Sequence, residues 1–453
     1  MAGIERLERD VVVLGAGPAG LAAALSSAAQ GANTLLVERE ERLGGILRQC
    51  IHDGFGLRRF GEALTGPEYA LRFSRRLPDS GLETIKETFV HEVTRDPETG
   101  SYAIVAVSPE LGLMTITTRS LVLATGCRER SDRQVLIHGD RPAGVFTAGL
   151  AQRLVNIEGL LPGRRAVILG SGDIGLIMAR RLRLEGVEVE GVYEIKSEAS
   201  GLARNVAQCL VDFSIPLHLS TTVTEIHGKR RVESVTIASV DERGGPIAGT
   251  ERRVACDSLI LSVGLIPENE ILQSLGLGLD LATRGPRIDQ SGRTGLPGLY
   301  ACGNTVHVND LVDDVSDSGE IAGRAAALHA LAAGPEAGGL PVDSRRRLVP
   351  LKASSGFLYA VPQLIDPLLA PTQGALTGTD DEGPVEIHFR SNATIKEGAR
   401  VRLRAGDRIL AERRFVALRP PEAERLAFDP RAVGDAESLV LELERGPSEG
   451  VRK

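Results

Sequence analysis

A glycine-rich turn occurs twice in this chain, and it restricts the possible folds more tightly than any other feature. The first copy is Val11-Val12-Val13-Leu14-Gly15-Ala16-Gly17-Pro18-Ala19-Gly20, and the second is Val167-Ile168-Leu169-Gly170-Ser171-Gly172-Asp173-Ile174-Gly175. Each joins an apolar run suited to a buried parallel strand to the spacing G-x-G-x-x-G, and then to a run that reads as a helix. The first glycine permits the tight turn, the second lets the backbone approach a diphosphate, and the third lets helix and strand pack closely. Free amides at the helix N-terminus hold the anion itself. Two such turns predict two dinucleotide cradles.

A carboxylate about twenty residues further on completes a cradle of this kind, because it ends the second strand and accepts hydrogen bonds from an adenosine ribose. Thr34-Leu35-Leu36-Val37-Glu38 supplies Glu38, and the run 187–194 ends in Glu194. A glycine turn followed by a charged strand end through chance explains one copy far more easily than both. Glu194 favours NAD over NADP, since a carboxylate repels a 2'-phosphate, and the nearby Lys196 and Arg204 soften that preference.

The duplication reaches beyond the turns. Ser120-Leu121-Val122-Leu123-Ala124-Thr125-Gly126 and Ser258-Leu259-Ile260-Leu261-Ser262-Val263-Gly264 read as mirrored final strands. Between the first turn and its final strand lie Gly44-Gly45, the loop Gln49-Cys50-Ile51-His52-Asp53-Gly54-Phe55-Gly56, a helical stretch near 66–78, and strands at 87–93 and 102–107. Later, Leu299-Tyr300-Ala301-Cys302-Gly303-Asn304 is a short strand ending at Asn304, and an Ala-rich helix is expected from about Ser316 to about Ala333. From about Pro341 the pattern changes to plain alternating strands, 384–390 and 399–404, the latter before the turn Ala405-Gly406-Asp407.

Composition excludes several classes. A chain of 453 residues with 42% hydrophobic content divides into about three domains. Its net charge of -7 provides no electrostatic footprint for nucleic acid, and it has no apolar stretch of about eighteen residues able to span a bilayer. Residues 1–10 are charged and lack the apolar core of a signal peptide, so a cytoplasmic location is expected, with membrane association only through a partner. The cysteines stand at 50, 127, 209, 256 and 302, too far apart for a C-x-x-C pair. That spacing argues against a redox dithiol and against a closely spaced metal finger, and no metal is expected.

The order of glycine turn, Ala124-Thr125-Gly126, second glycine turn, Val263-Gly264 and Tyr300-Ala301-Cys302-Gly303-Asn304 resembles the two-dinucleotide-binding-domain flavoproteins, the pyridine nucleotide-disulfide oxidoreductase superfamily, over roughly residues 8 to 335. The resemblance implies an α/β fold of two Rossmann-like FAD/NAD(P)-binding domains, the second inserted in the first, plus a small β-rich C-terminal domain. The expected boundaries are 1–135 with 282–335 for FAD, 136–281 for NAD(P), and 340–453 for the β-rich domain. FAD is implied at the first site. Carried over residue by residue, its contacts are Gly15, Gly17, Pro18, Ala19, Gly20, Glu38, Arg39, Gly44, Gly45, Val90, Thr125, Gly126, Gly303 and Asn304. NAD(H), less readily NADP(H), is implied at Gly170, Gly172, Asp173, Ile174, Gly175, Glu194 and Gly264. Asn304 departs from the superfamily's aspartate; it can hydrogen-bond a ribitol hydroxyl but carries no charge.

The runs 44–56 and 303–316 are similar to a narrower group, bacterial FAD-dependent subunits that accompany glycerol-3-phosphate dehydrogenases, with relatives among the alpha subunits of opine, sarcosine and cyanide-forming amine oxidases. The C-terminal block, with Val349-Pro350 and Ala417-Leu418-Arg419-Pro420-Pro421-Glu422, fits that group and lacks the dimerisation pattern of the disulfide reductases. It reads either as a surface for a partner or as a lid over the nucleotide domains. The expected activity is an FAD-dependent oxidoreductase without a redox-active dithiol, moving hydride or electrons between NAD(H) and FAD and on to a second dehydrogenase subunit that oxidises glycerol 3-phosphate. Membership of an opine or amine dehydrogenase complex is the first alternative, and a stand-alone NADH oxidase or quinone reductase using a small-molecule donor or acceptor is the second. Positioning a nicotinamide roughly 3 to 3.5 Å from the flavin supplies most of such catalysis without a protein acid or base.

Cys50 and His52 are the catalytic candidates, because in this superfamily the segment after the Gly-Gly pair passes beside the flavin ring. A plain structural thiol is the favoured reading of Cys50, and a thiolate that interacts with or tunes the flavin is the alternative. His52 either exchanges protons or braces its loop. Cys302 and Cys127 read as structural. The acidic run 310–317 is expected to cap the last helix, and Arg128, Arg130 and Arg133 to lie on a solvated loop unless they meet a phosphate or a partner.

Overall fold

The computed structural model describes residues 5–332, 346–369, 372–373 and 381–446; the expected starts near Pro341 and end at Ala333 lie outside them. Two compact units emerge, one from the segments up to Cys127 and from Pro267 onward, the other from Arg128–Ile266.

The first unit is built on β1 (Glu5–Leu14), β2 (Thr34–Val37), β3 (Glu83–Ile85), β4 (Phe89–Arg95), β5 (Tyr102–Ser108) and β6 (Gly112–Leu123), in the order β3-β2-β1-β6-β5-β4. β1 pairs in parallel with β2 and with β6, and the strand Leu299–Ala301 adds in parallel to the far end of β6. β6 is thus longer than the expected 120–126 strand, because its first half pairs antiparallel with β5. Strand periodicity decides the layers. Val11 and Val13 point into a core shared with helices α1 (Pro18–Ala29) and α2 (Gly66–Ser74), whereas Val12 and Leu14 pack with Ile104, Met114 and Ile116 of the antiparallel strands. Each of these fully buried side chains contributes about 1.5–3 kcal/mol of burial.

The second unit repeats this layering. Its parallel sheet runs Leu217–His218, Glu188–Tyr193, Arg165–Leu169, Ser258–Leu261, Val145–Thr147. Ala166 and Ile168 face helices α3 (Ala148–Asn156) and α4 (Asp173–Leu184), while Val167 and Leu169 face Val223, Ile226, Val235 and Ile237 of a four-stranded sheet. A short α5 (Ala203–Val206) follows, and in the first unit α6 (Glu270–Ser274) and the long α7 (Val312–Ala332) complete the helices.

The C-terminal block has its own core, in which Val401, Leu403, Leu439, Leu441, Ile387 and Phe389 are buried. Ala399–Ala405 alternates strictly between buried and half-buried positions and pairs through the expected turn with Arg408–Phe415. The block is fastened to the rest of the first unit by specific hydrogen bonds. The Gln290 amide donates to the carbonyls of Asp366 and Leu369 at 2.7 Å, the Leu364 N–H donates to the Ile288 carbonyl at 3.1 Å, and Arg390 donates to Asp310 at 2.5 Å.

Candidate functional site

The first glycine turn forms because β1 ends in Gly15 at φ +98°, a conformation that side chains resist. A Cβ on Gly15 would lie 2.5 Å from the Ala124 carbonyl oxygen, and one on Gly20 would lie 1.7 Å from that of Gly15. Gly17 differs: a Cβ there meets nothing within 4 Å. It is the N-cap of α1 and has no side-chain cap, with Pro18 opening the helix. The helix thus starts beside open space at Gly17 with no side chain of its own capping its first turn, as an anion cradle requires.

Glu38 is 6% exposed at the end of β2. Its Oε2 accepts from the Ala16 N–H at 2.6 Å and its Oε1 from the Glu40 N–H at 2.9 Å. A carboxylate has about four acceptor directions, so two amides orient it and leave capacity for ribose hydroxyls. Arg39 is largely exposed and stands 3.7 Å from Glu268. Val90 lies half-buried on β4 opposite Ala106, two residues after Thr88, whose N–H donates to the Glu38 carbonyl. The Gly44-Gly45 pair is drawn to the same turn. The Gly44 N–H donates to the Ala16 carbonyl at 2.8 Å, and a Cβ on Gly45 would lie 3.0 Å from the Gly17 Cα.

The distant Gly303-Asn304 pair joins them. Gly303 sits at φ +61°, where a Cβ would lie 2.8 Å from that of Ala19, and its N–H donates to Ser318 Oγ at 2.9 Å. The Asn304 side-chain oxygen accepts from both the backbone and side-chain N–H of Asn309, at 3.0 and 3.2 Å, and its amide donates to Cys127 Sγ at 3.6 Å. Thr125 Oγ1 donates to the Glu268 carbonyl at 2.7 Å, and the Gly126 N–H donates to Thr305 Oγ1 at 2.9 Å. Thr305 is a positioning residue that the motif reading passed over, although it directly follows Asn304.

The second turn repeats the geometry. Gly170 sits at φ +95°, with a Cβ position 2.0 Å from the Ser262 carbonyl oxygen, and the Gly175 N–H donates to Ser262 Oγ at 3.1 Å. Gly172 is the uncapped N-cap of α4. Glu194, 3% exposed, accepts from the Ser171 N–H at 2.9 Å, from Ser171 Oγ at 2.5 Å and from the Lys196 N–H at 3.0 Å. Asp173, first residue of α4 and followed by Ile174, accepts from the Leu202 N–H and the Asn205 amide at 2.8 and 2.7 Å. Gly264, at φ +105°, accepts through its carbonyl from the Arg130 N–H.

Burial pushes the Cys50 thiol up to about 12, and its sulfur donates to the Ile46 carbonyl at 3.3 Å, which favours the structural reading of this thiol over the thiolate. One expectation, that the acidic run 310–317 caps the last helix, is corrected. Asp310 leaves α7 for the C-terminal block, accepting from Arg390 and, at 2.7 Å, from the Ala423 N–H. Asp313, Asp314 and Asp317, in the first turns of α7, meet Arg58. His52 keeps both readings. Its Nδ1 lies 3.1 Å from the Asp53 carbonyl oxygen, and its ring packs 4.9 Å from that of Phe55.

Both cradles thus share a tight turn, a helix N-terminus without a side-chain cap and a buried carboxylate ending the second strand, the parts that an adenine dinucleotide needs. The sequence pattern of the pyridine nucleotide-disulphide oxidoreductases matches residues 9–328. The chain belongs to the pyridine nucleotide-disulphide oxidoreductase family, whose members are FAD-dependent oxidoreductases that also bind NAD(P). It is similar to the hydrogen cyanide synthase subunit HcnB of Pseudomonas protegens, 29% identical over 283 residues covering 59% of this chain and 58% of that protein. It is also similar to an opine oxidase subunit of Agrobacterium tumefaciens, 26% identical over 340 residues covering 71% of this chain and 65% of the other. The matched region therefore spans less than two thirds of either relative. Among solved structures, the thioredoxin reductase of Lactococcus lactis shares the fold with a TM-score of 0.59 at 22% identity, over 72% of this chain and 99% of that one. Among the described residues, no helix is long and apolar enough to cross a membrane.

Proposed function

We propose that the first unit holds FAD on the Gly15 turn, that Arg128–Ile266 holds NAD(H) in preference to NADP(H), and that the chain is the electron-transferring subunit of a multi-subunit flavoprotein dehydrogenase. The observation that carries this reading is the matched pair of buried carboxylates. Glu38 and Glu194 each accept from the amide that follows the first glycine of their turn. Equivalent construction supports two working dinucleotide sites rather than one site and its relic.

When bound, FAD supplies reversible hydride and electron chemistry. The chain's own residues hold and orient it. The free amides at the start of α1, after Pro18, would hold the diphosphate, Glu38 would take the ribose, and the Gly303-Asn304 turn would border the ribitol. With Cys50 held as a thiol and no second cysteine in the 44–56 loop, the dithiol relay of disulfide reductases has no place here. Electrons then pass to an acceptor outside this chain. The relatives are named as subunits of opine oxidase and hydrogen cyanide synthase. On that ground an opine- or amine-type substrate, oxidised with a second subunit, is placed ahead of glycerol 3-phosphate.

The test is copurification of the tagged full chain from its own host, followed by anaerobic assay of the complex with an opine, with sarcosine and with glycerol 3-phosphate. Copurification of a second protein is expected, together with flavin reduction by the opine or the amine. Reduction by glycerol 3-phosphate alone would return the substrate to that compound, and a chain that purifies alone and turns over NADH with oxygen or quinone would overturn the subunit reading.

A further inference from the structure

The two glycine turns differ at one residue whose side chain bears on the carboxylate. The residue after the first glycine is Ala16 in the first turn and Ser171 in the second. Ser171 is fully buried, and its Oγ lies 2.5 Å from Glu194 Oε2. The Ser200 N–H donates to the same Oγ at 2.8 Å, so the one proton of the hydroxyl is committed to the carboxylate. The segment around Ser200 is pressed on the turn and keeps this arrangement closed. A Cβ on Gly201 would lie 2.9 Å from the Ser171 carbonyl oxygen, and the Leu202 N–H and the Asn205 amide are held by Asp173 at 2.8 and 2.7 Å.

The consequence follows from the acceptor capacity of a carboxylate, about two directions on each oxygen. On Glu38 the Ala16 N–H takes one direction of Oε2 and the Glu40 N–H one of Oε1, so each oxygen keeps one. On Glu194 both the N–H and the hydroxyl of Ser171 fall on Oε2, whereas Oε1 takes the Lys196 N–H alone. Among the described residues no further hydrogen-bond donor reaches either carboxylate. One free direction on each oxygen suits the two hydroxyls of a vicinal diol. A single free direction, on Oε1, suits one hydroxyl.

We infer that Ser171 is a positioning residue that sets the specificity of the second site: by filling Glu194 Oε2 it limits that carboxylate to one hydroxyl of the adenosine ribose, while Ala16 leaves Glu38 free to accept from both. The inference rests on the reading of Arg128–Ile266 as the nicotinamide dinucleotide site. A site built in this way tolerates an adenine nucleotide that lacks the other ribose hydroxyl.

The experiment is displacement of NADH from the full chain reconstituted with FAD, followed by NADH fluorescence, with ADP, 2'-deoxy-ADP and 3'-deoxy-ADP as the competitors. With FAD in the first site, the competitors report on the second. In the parent chain one deoxy analogue should displace NADH within about twofold of ADP, and the other should need at least about tenfold more, the loss expected for one hydrogen bond to a charged group. In Ser171→Ala, which installs the residue of the first turn, both analogues should need at least about tenfold more than ADP. Each chain is scored against its own ADP, so a general loosening of the 200–205 segment cancels from the ratio, and the parent comparison stands without the variant. Equal penalties for both analogues in the parent, no penalty for either, or the parent's pattern unchanged in a Ser171→Ala chain that still binds NADH would overturn the inference and leave the site standing. A parent chain that binds no NADH would overturn the site, and the inference with it.

Discussion

Glu38 and Glu194 show how much a single buried carboxylate decides. Each is fixed by backbone amides and keeps acceptor capacity to spare, which in the proposed reading serves a ribose and, at Glu194, sets a charge against a 2'-phosphate. Glu194→Gln keeps the shape and removes the charge. Charged hydrogen bonds contribute about 1.5–3 kcal/mol, so the proposed NADH preference over NADPH should narrow by at least about tenfold, measured by fluorescence titration of both nucleotides; an unchanged ratio would remove Glu194 from the site. Cys50 makes the opposite point. A thiol pushed up to about 12 stays protonated through the physiological range. The flavin spectrum of the reconstituted chain should therefore be identical in Cys50→Ser and show no thiolate charge-transfer band between about pH 6 and 9; such a band, lost in the variant, would restore the thiolate.

His307 adds a pH signature. Its pKa is brought down to about 3 in the folded chain against about 6.5 unfolded. Between those values the unfolded chain binds the extra proton, so stability falls as pH drops from about 6.5 toward 3, with a slope of up to about 1.4 kcal/mol per pH unit from this residue. Denaturant melts at pH 7 and pH 5 should show a smaller loss in His307→Gln than in the parent chain. Equal losses would mean that the imidazole is not held neutral.

At the scale of elements, the contact between α1 and α7 sets the first cradle. A Cβ on Gly319 would lie 2.1 Å from the Ala19 carbonyl oxygen, and one on Gly323 would lie 2.0 Å from that of Ala23. Tyr69 of α2 adds a hydrogen bond to Ser316 Oγ at 2.9 Å. Gly323→Ala should separate the helices, costing about 1–3 kcal/mol and loosening FAD, as read from thermal melts and flavin retention; a stable variant with full flavin content would contradict that role. This pair was illegible beforehand because glycines inside a helix give no periodic signal. The glycine turns were legible because each imposes a positive φ and a close backbone approach at fixed spacing. The ends of β6 and α7 were misjudged for a different reason. Pairing with β5 extends β6 to Gly112, and contact of Asp313 and Asp314 with Arg58 accompanies a helix start at Val312, four residues before Ser316. Both depend on distant partners. The split of roles along 310–317, with Asp310 turned to the C-terminal block, likewise requires Arg390, which lies 80 residues away.

On the scale of the whole molecule, duplicated layers serve two different assemblies. The first unit gathers its cradle from discontinuous sequence, Gly15 to Gly45 and Thr125 to Asn304, and carries the C-terminal block on the same segment that leads to Asn304. The second is self-contained within Arg128–Ile266. The proposed flow of electrons joins these two nucleotide sites without a cysteine pair. Anaerobic titration of the FAD-reconstituted full chain with NADH, repeated with NADPH, tests that most directly. The visible flavin band should bleach with about one equivalent of NADH and respond to NADPH only at much higher concentration. A band that persists with excess NADH, in protein shown to retain its FAD, would contradict the account.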